Sequence, residues 1–431
     1  MSLIETTVEA ISLEMGDAPF GSNLKNTDYT DSGALVVQGK NIQGRVFDWS
    51  DKRHVSFDKY ASIPRSHCFE GDLLFPKVGT IGKVGILSLC EGYDKYLLST
   101  NTMRLKVDPE KADPYFIYYY FTWSKTVNLI QAMNSKSVQP VFNYTSLKKF
   151  PLVLPSLEKQ RLASKVLKSL DDNIILNNQT NQTLEQIAQA IFKSWFVDFD
   201  PVKATMNGEQ PEGMDAATAS LFPEKLDSET GIPDGWKLSE IGDEVTVVGG
   251  GTPSKKNDDF WVDGDIHWTS PKDLSGVQDK VLLDTASKVT EAGLKKISSG
   301  LLPVDTVLLS SRAPVGYLAL AKVPMAINQG YIAMKCEKQL PPEFVLQWCV
   351  HSMDEIKQRA SGSTFAEISK KSFKPISVVV PTGEVLSAYQ KLVKPLYDAI
   401  TSNARQNEQL SSLRDTLLPK LLSGEIELDK E

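Results

Sequence analysis

Three consecutive glycines at 249–251, followed by Thr252-Pro253-Ser254 and the pair Lys255-Lys256, form a segment of the kind that can cradle a phosphate. Glycine lets backbone N–H groups close on an anion, but a phosphate loop also needs a helix start behind it. None is evident here, so a loop beside a sheet is the better reading, with Lys255 and Lys256 suited to phosphate rather than to bases. The Gly-Lys of GTIGKVG (79–85) lacks the spacing of a nucleotide-binding loop and reads as a turn between strands. PDGWK (233–237) carries the Asp and Lys of a nuclease pair, yet Pro-Asp-Gly is an ordinary turn. No Asn-Pro-Pro-aromatic segment of an adenine methyltransferase occurs. The four histidines (54, 67, 267, 351) are scattered, and the four cysteines (68, 90, 336, 349) have neither CxxC pairing nor histidine partners at metal-ligand spacing. Reduced, mostly buried thiols and no metal site are expected. No cofactor loop or catalytic constellation stands out among these residues.

Residue types suited to contacting bases are present near turns that recur in the chain. Lys272, Asp273, Ser311 and Arg312 form one set, and Lys40, Asn41, Gln43, Lys77 and Lys83 the other. Arg and Lys suit guanine edges and Asn and Gln suit adenine in a major groove. The bland alternative for each is a solvated turn residue.

The elements that must position them repeat. A shift of 226 lays SLDDNIILNNQTNQTLEQIAQAIF on PLYDAITSNARQNEQLSSLRDTLL, matching Leu170 with Leu396, Asp172 with Asp398, Asn181 with Asn407 and Leu184 with Leu410. Upstream, FPLVLPS (150–156) lies over ISVVVPT (376–382), GDLLFPKVGTIGKVGIL over VDTVLLSSRAPVGYLAL, and ALVVQGKNIQG (34–44) over IHWTSPKDLSG (266–276). Two copies exclude a solenoid. Short apolar runs punctuated by Gly, Pro and Asp predict strands. The fold class expected is α+β: two duplicated β-rich domains, each followed by a long helix. The boundaries expected are domain 1 at 1–155, a helix at 156–200, a linker at 201–232, domain 2 at 233–381 and a second helix at 382–431.

Positions 163, 166, 170, 173, 177, 180, 184, 187 and 191 follow the three-four spacing of a coiled-coil seam, as do 389–417 in the second copy. Both seams are apolar at the ends and polar in the middle, with Asn177 and Asn403 equivalent. A seam Asn costs stability but fixes register, since only a polar group opposite satisfies it. Antiparallel pairing of the helices would match the polar centres and place the domains at opposite ends, an object that measures distance along a duplex. Pro395 should kink the second helix or mark its first turn. FKSWFVDF (192–199) ends the first helix. Its Trp195, Phe196 and Phe199 are expected to dock a partner, the alternative being packing of the helix end on the adjacent domain. The polar linker should track the surface.

Length and charge set the outer bounds. The 431 residues exceed one core, and 41% hydrophobic with 23% charged residues is ordinary globular composition. The net charge of −7 sits mainly in 156–232, where 7 bases face 12 acids, while 1–155 (17 against 16) and 233–381 (17 against 18) are near neutral. Charge therefore neither supports nor excludes nucleic acid. No apolar run approaches a membrane span and the N-terminus lacks the bases of a signal peptide, so a cytoplasmic protein is expected.

GGGTPSKKNDDFWVDGDIHWTSPKDLSG (249–276), SSRAPVGYLALA and AINQGYIAM resemble a target-recognition domain of the specificity subunits of type I restriction-modification systems. The stretch from LPSLEKQR through SWFVDFDPV resembles the central helix region of that family, and SLRDTLLPKLLSGEIEL its closing one. The first domain departs most: GDAPFGSNLKN is only loosely like the Gly-Thr-Pro-Ser opening, and FPKVGTIGKVG lacks the counterpart of Arg312. The resemblance implies a non-catalytic DNA-reading subunit whose domains each read half of a bipartite site while the helices set the spacer. It implies two modification (methyltransferase) subunits docked on the helices, with restriction (translocase and nuclease) subunits beyond them. S-adenosylmethionine, ATP and Mg would belong to those partners, and none to this chain. The rival reading is an active methyltransferase or nuclease with fused recognition domains, which S-adenosylmethionine binding by the isolated chain would favour.

Overall fold

A computed structural model describes residues 3–19, 23–79, 81–134, 142–277, 279–362 and 366–426. The fold is α+β, with two β-rich domains each followed by a long helix. The chain divides into two compact units, Met1–Ile175 with Gln409–Glu431, and Leu176–Glu408.

The duplication read from the sequence extends to strand pairing. Each domain opens and closes on one antiparallel pair: Ile4–Thr7 with Pro151–Leu154, and Lys237–Glu240 with Ser377–Val380. In domain 1, Leu73–Pro76 pairs with Gly85–Ile86 and with Thr102–Val107. In domain 2, Val307–Ser310 pairs likewise with Leu318–Ala321 and with Tyr331–Lys335. A second sheet holds a parallel pair in each copy, Ala34–Val37 with Tyr96–Leu98 and Ile266–Thr269 with Met325–Ile327. Side-chain alternation divides these runs between two faces. Leu73 and Phe75 enter one core cluster and Leu74 another, as Val307 and Leu309 separate from Leu308. Strands covered on both faces read as short continuous apolar runs.

Helical patches fall at matching places, Pro114–Thr122 with Ser124–Asn134 and Pro342–His351 with Met353–Gln358. Proline opens both, at a position where its missing N–H costs nothing, and the Asp113 side chain caps the first by accepting from Phe116 N at 2.8 Å.

The long helices run Leu157–Phe196 and Gly383–Ser423, each about 60 Å by the 1.5 Å rise. Thr382 Oγ1 accepts from Val385 N at the start of the second, and Gly424 (φ +73°) ends it. Pro395 neither opens nor interrupts that helix. It lies on the exposed side, where a freed carbonyl remains in water.

Within Leu176–Glu408 the helices run antiparallel, bridged by amides. Asn177 donates to Asn407 Oδ1 (2.9 Å) and Gln406 Oε1 (2.8 Å), Asn403 donates to Asn181 Oδ1 (2.8 Å), and Asn407 donates to Asn178 Oδ1 (2.7 Å). Under the 226-residue shift Asn177 corresponds to Asn403 and Asn181 to Asn407, so the two long-range pairs are mirror copies of each other. The buried stripe itself lies one residue C-terminal to the expected seam. Leu167, Asp171, Asn181, Glu185, Ala188 and Phe192 are buried on the first helix, and Val393, Tyr397, Ile400 and Leu418 on the second. Ile187, Leu392 and Leu413, expected inside, are 42%, 49% and 47% exposed. Asn177 and Asn403 each meet an amide across the pair as expected, and Ala163 and Tyr389 are buried. Much of the remaining stripe is displaced by one residue, because its central positions carry Asp, Asn and Glu, which an apolar pattern cannot register.

The expected docking aromatics are a core. Trp195 and Phe196 are buried with Phe222, Trp236, Phe344 and Tyr389, and Phe199 packs edge-on against Trp236 (5.8 Å). Each fully buried ring contributes on the order of 1.5–3 kcal/mol, far more than a solvated helix end could forgo. Phe222 and Ile232 tie the 201–232 segment into that cluster, so it is anchored as well as surface-tracking.

Glu185 is the polar centre of the second unit. Its carboxylate accepts from Lys280 Nζ (2.8 Å), Tyr397 OH (2.7 Å), Gln347 Nε2 (3.0 Å) and Gln189 Nε2 (3.1 Å). Burial pushes the carboxyl up, but Lys280 and these hydrogen bonds outweigh it and hold Glu185 below the usual glutamate value.

Two measurements check these contacts. An interhelical hydrogen bond is worth about 0.5–1.5 kcal/mol net, less than the roughly 1.5–3 kcal/mol of a buried Leu. Replacing Asn177, Asn181, Asn403 and Asn407 together by Leu should therefore raise the melting temperature. Spin labels at Gln182 and Arg405 should then show a broadened distance distribution, and an unbroadened one would remove the amides' role in register. Glu185→Gln should cost roughly 1.5–3 kcal/mol at pH 7. A depressed folded pKa contributes stability above the unfolded value and loses it below, so this deficit should shrink as pH falls through about 4.3. A deficit independent of pH would mean that the carboxylate's charge is irrelevant.

Candidate nucleic-acid interface

In domain 2, parallel pairing of Ile266–Thr269 with Met325–Ile327 brings the turns after both strands side by side. The glycine segment comes in from the strand Thr246–Val248 to lie against them. A Cβ on Gly250 would stand 1.9 Å from the Ile327 carbonyl oxygen, and Gly251 N donates to that same oxygen at 3.0 Å. Close approach of backbone to strand is why glycine is required, and no phosphate is needed to explain it.

These three segments and residues 284–287 line an open cleft of about 840 Å³, bordered among others by Thr252, Lys255, Lys272, Asp273, Asn328 and Gln329. Thr252 Oγ1 donates to Gln329 Oε1 at 2.6 Å, which holds the amide while its N–H groups remain donors. Tyr331 holds Ser270, a lining residue, by donating to its carbonyl oxygen at 2.7 Å, and burial pushes the phenol well up, so it stays protonated. Asp284, with His267 Nδ1 at 3.1 Å, adds an acceptor on the rim. The cleft thus presents two cations, amides and carboxylates, the donor and acceptor types that read base edges.

The residues singled out from the sequence divide. Lys255, Lys272 and Asp273 share this cleft. Lys256 is exposed nearby in sequence but does not line it. Asp273 is a helix cap, accepting from Ser270 N (2.7 Å) and Ala286 N (2.9 Å). Ser311 is buried in the strand end, donating its N–H to Gly330 O, and Arg312 faces Glu367 at 3.7 Å. Neither lines the cleft.

In domain 1, Asn41 is 2% exposed and does what Asp273 does: its Oδ1 accepts from Gln38 N (2.8 Å) and its Nδ2 donates to Asp48 O (2.7 Å). An amide spent on its own turn is not available to a base, which corrects the expectation for Asn41. Lys40 pairs with Asp51, Lys77 with Asp17 (2.5 Å), and Lys83 donates to Gln43 Oε1 (3.3 Å). Thr252, Asn328 and Gln329 were missed. Asn-Gln-Gly after an apolar run was a visible turn signal, with amides in it. Among the described residues no group of His, Cys, Asp or Glu could hold a metal ion, and no helix is long and apolar enough to cross a membrane.

A model of the type I restriction modification DNA specificity domain matches residues 57–186 and 233–412. Over 402 residues the chain is 28% identical to the type I restriction enzyme HindI specificity subunit of Haemophilus influenzae, a match spanning 83% of this chain and 87% of that protein. Over 321 residues it is 25% identical to the type I restriction enzyme MjaIX specificity subunit of Methanocaldococcus jannaschii, spanning 73% and 69%. A crystal structure of the S subunit of a type I restriction-modification system from M. genitalium shares the fold. Its TM-score is 0.55 at 14% identity, covering 100% of this chain and 97% of that one.

If the cleft meets a duplex, its residues should separate by role. Lys255→Ala should weaken binding about equally for all sequences and lower the salt slope by about one. Gln329→Ala should cost about 1–3 kcal/mol at one base-pair position and relax preference there. Titrations against duplex libraries at several salt concentrations distinguish the two, and a uniform loss for Gln329→Ala would deny it a reading role.

Proposed function

The chain belongs to the type I restriction-modification DNA specificity family, and on that premise we propose that it selects the DNA sequence for such a complex, each β-rich domain reading half of a bipartite duplex target. The observation that carries this reading is the duplication of one frame with different residues at its turns. The same strands pair in the same sense in both copies. The turns at their ends, however, carry Asn328 and Gln329 in one domain and Ser99 and Thr100 in the other. Equal frames with unequal turns are what two half-sites of different sequence require.

The chain acts without catalysis of its own in this reading, since the carboxylates Asp171, Glu185 and Asp273 are engaged in pairing and capping. Two modification subunits and, in a restricting complex, translocase and nuclease subunits would supply S-adenosylmethionine, ATP and Mg chemistry in the cytoplasm. The helices would set the spacer. Their amide register supports this, because a pairing that cannot slip holds a length.

Insertion of four residues into both helices near Thr180 and Gln406, at the centre of the amide ladder, adds about 6 Å. One base pair occupies 3.4 Å. Methylated sites mapped in cells carrying that variant should keep both half-site sequences and gain one or two base pairs between them. Retained modification at the original spacer would mean that the helices do not measure the distance.

A further inference from the structure

We propose that Arg45 and Lys280 are positioning residues, latches that set the orientation of each reading domain on the long helices and so restrict the spacer that the complex accepts. This rests on the function proposed above.

The two residues stand just ahead of short strands in their domains, though Val46–Phe47 pairs with Ile42–Gln43 and Val281–Leu282 with Leu320–Ala321. Arg45 directly precedes the short strand Val46–Phe47, and Lys280 directly precedes Val281–Leu282. Each reaches carboxylates on the first long helix. Arg45 pairs with Asp172, stands 3.9 Å from Asp171, and donates to Lys168 O at 3.1 Å. Lys280 pairs with Glu185 at 2.8 Å.

The surroundings correspond. Tyr119, five residues into its helical patch, donates to Asp171 Oδ2 at 2.7 Å. Gln347, at the same place in the second patch, donates to Tyr397 OH at 2.6 Å. Asp171 and Tyr397 are themselves equivalent under the 226-residue shift. The opposite helix completes both clusters, with Arg414 donating to Asp171 at 2.8 Å in the first and Glu185 serving as the anion in the second. Each cluster therefore joins a domain, the helix that follows it, and the helix that returns past it.

The chemistry of these clusters explains why they would orient rather than merely hold. Apolar packing is non-directional, so a domain seated on a helix by Leu167 and its neighbours alone could rock at little cost. Asp171 and Glu185 are 7% and 8% exposed, and a carboxylate so buried is strongly destabilised when its cation moves away. Replacing such a cluster by apolar side chains is often neutral or favourable to stability, so its distinctive consequence is geometry. Gly44, beside Arg45, tightens the seat: a Cβ there would lie 3.0 Å from the Tyr118 hydroxyl. A rocking movement of only about 3.4 Å at the bound duplex equals one base pair.

The test uses the full chain assembled with its partner subunits, bound to duplexes whose spacer is native or changed by one or two base pairs. Lys280→Gln with Glu185→Gln removes both charges and leaves neither unpaired. It should reduce the preference for the native spacer over its neighbours at least tenfold, with half-site base preferences unchanged. Lys280→Arg, which keeps the pair, should retain the native preference. An unaltered spacer preference in the double variant overturns the proposal and leaves the cluster a stabilising contact. Failure of the double variant to fold does the same, since it would show the charges to be needed for stability itself. Indifference of the unsubstituted complex to half-site sequence would instead sink the reading function on which the proposal stands.

Discussion

A polar group buried between two helices is tolerated only where another polar group faces it, and that condition governs how this chain is held. The amides of Asn177, Asn178, Asn181, Asn403 and Asn407 meet across the helix pair in a set of bonds that a one-turn slip would break together. Apolar residues in the same places would bind more strongly and specify less. Where the helices meet the domains the same logic recurs with charge, through Asp171 in one unit and Glu185 in the other. Stability comes from the apolar clusters around these groups; uniqueness of arrangement comes from the groups themselves.

The second constraint is duplication. Two copies of one strand plan keep the same internal solutions where the backbone demands them. Asn41 and Asp273 cap the same turn, and both helical patches open on proline. The copies also exchange roles without changing geometry: a phenol meets a carboxylate at Tyr119 and Asp171, and an amide meets a phenol at Gln347 and Tyr397. Matching residues in a repeat therefore mark the frame, and candidates for recognition are better sought where the copies differ. Gln329, which stands where the first copy has Thr100, faces the cleft, whereas Asp273 and Ser311, which the repeat also marks, are committed to the fold.

The glycine and aromatic segments make the same point from opposite ends. Gly250 resembles a phosphate loop in composition, yet it is needed because a side chain there would run into the Ile327 carbonyl. Trp195 and Phe196 resemble a docking patch on a helix, yet Phe344 and Tyr389 cover them. In both cases residue type stated the capacity and the neighbours decided the use.

Much of the fold was legible because it follows from local and periodic chemistry. The repeat announced two domains of one plan, short apolar runs between Gly, Pro and Asp announced strands, and uninterrupted three-four spacing with Asn at its centre announced paired helices with a polar register. Phase was legible at the amides Asn177 and Asn403 but not along the whole buried stripe. A helix that buries one face against a partner and another against a domain shows a pattern summed over both, and polar residues at the seam's centre leave no apolar mark, so the stripe was read one residue early. The candidate site was legible only as a set of residue types. Asn41 and Gln329 are both turn amides in sequence; that one is 2% exposed and bonded to its own turn while the other borders a cleft depends on a parallel strand pair joining segments about sixty residues apart. Hydrogen bonds are satisfied by whatever tertiary structure brings within 3 Å, and no spacing along the chain records that.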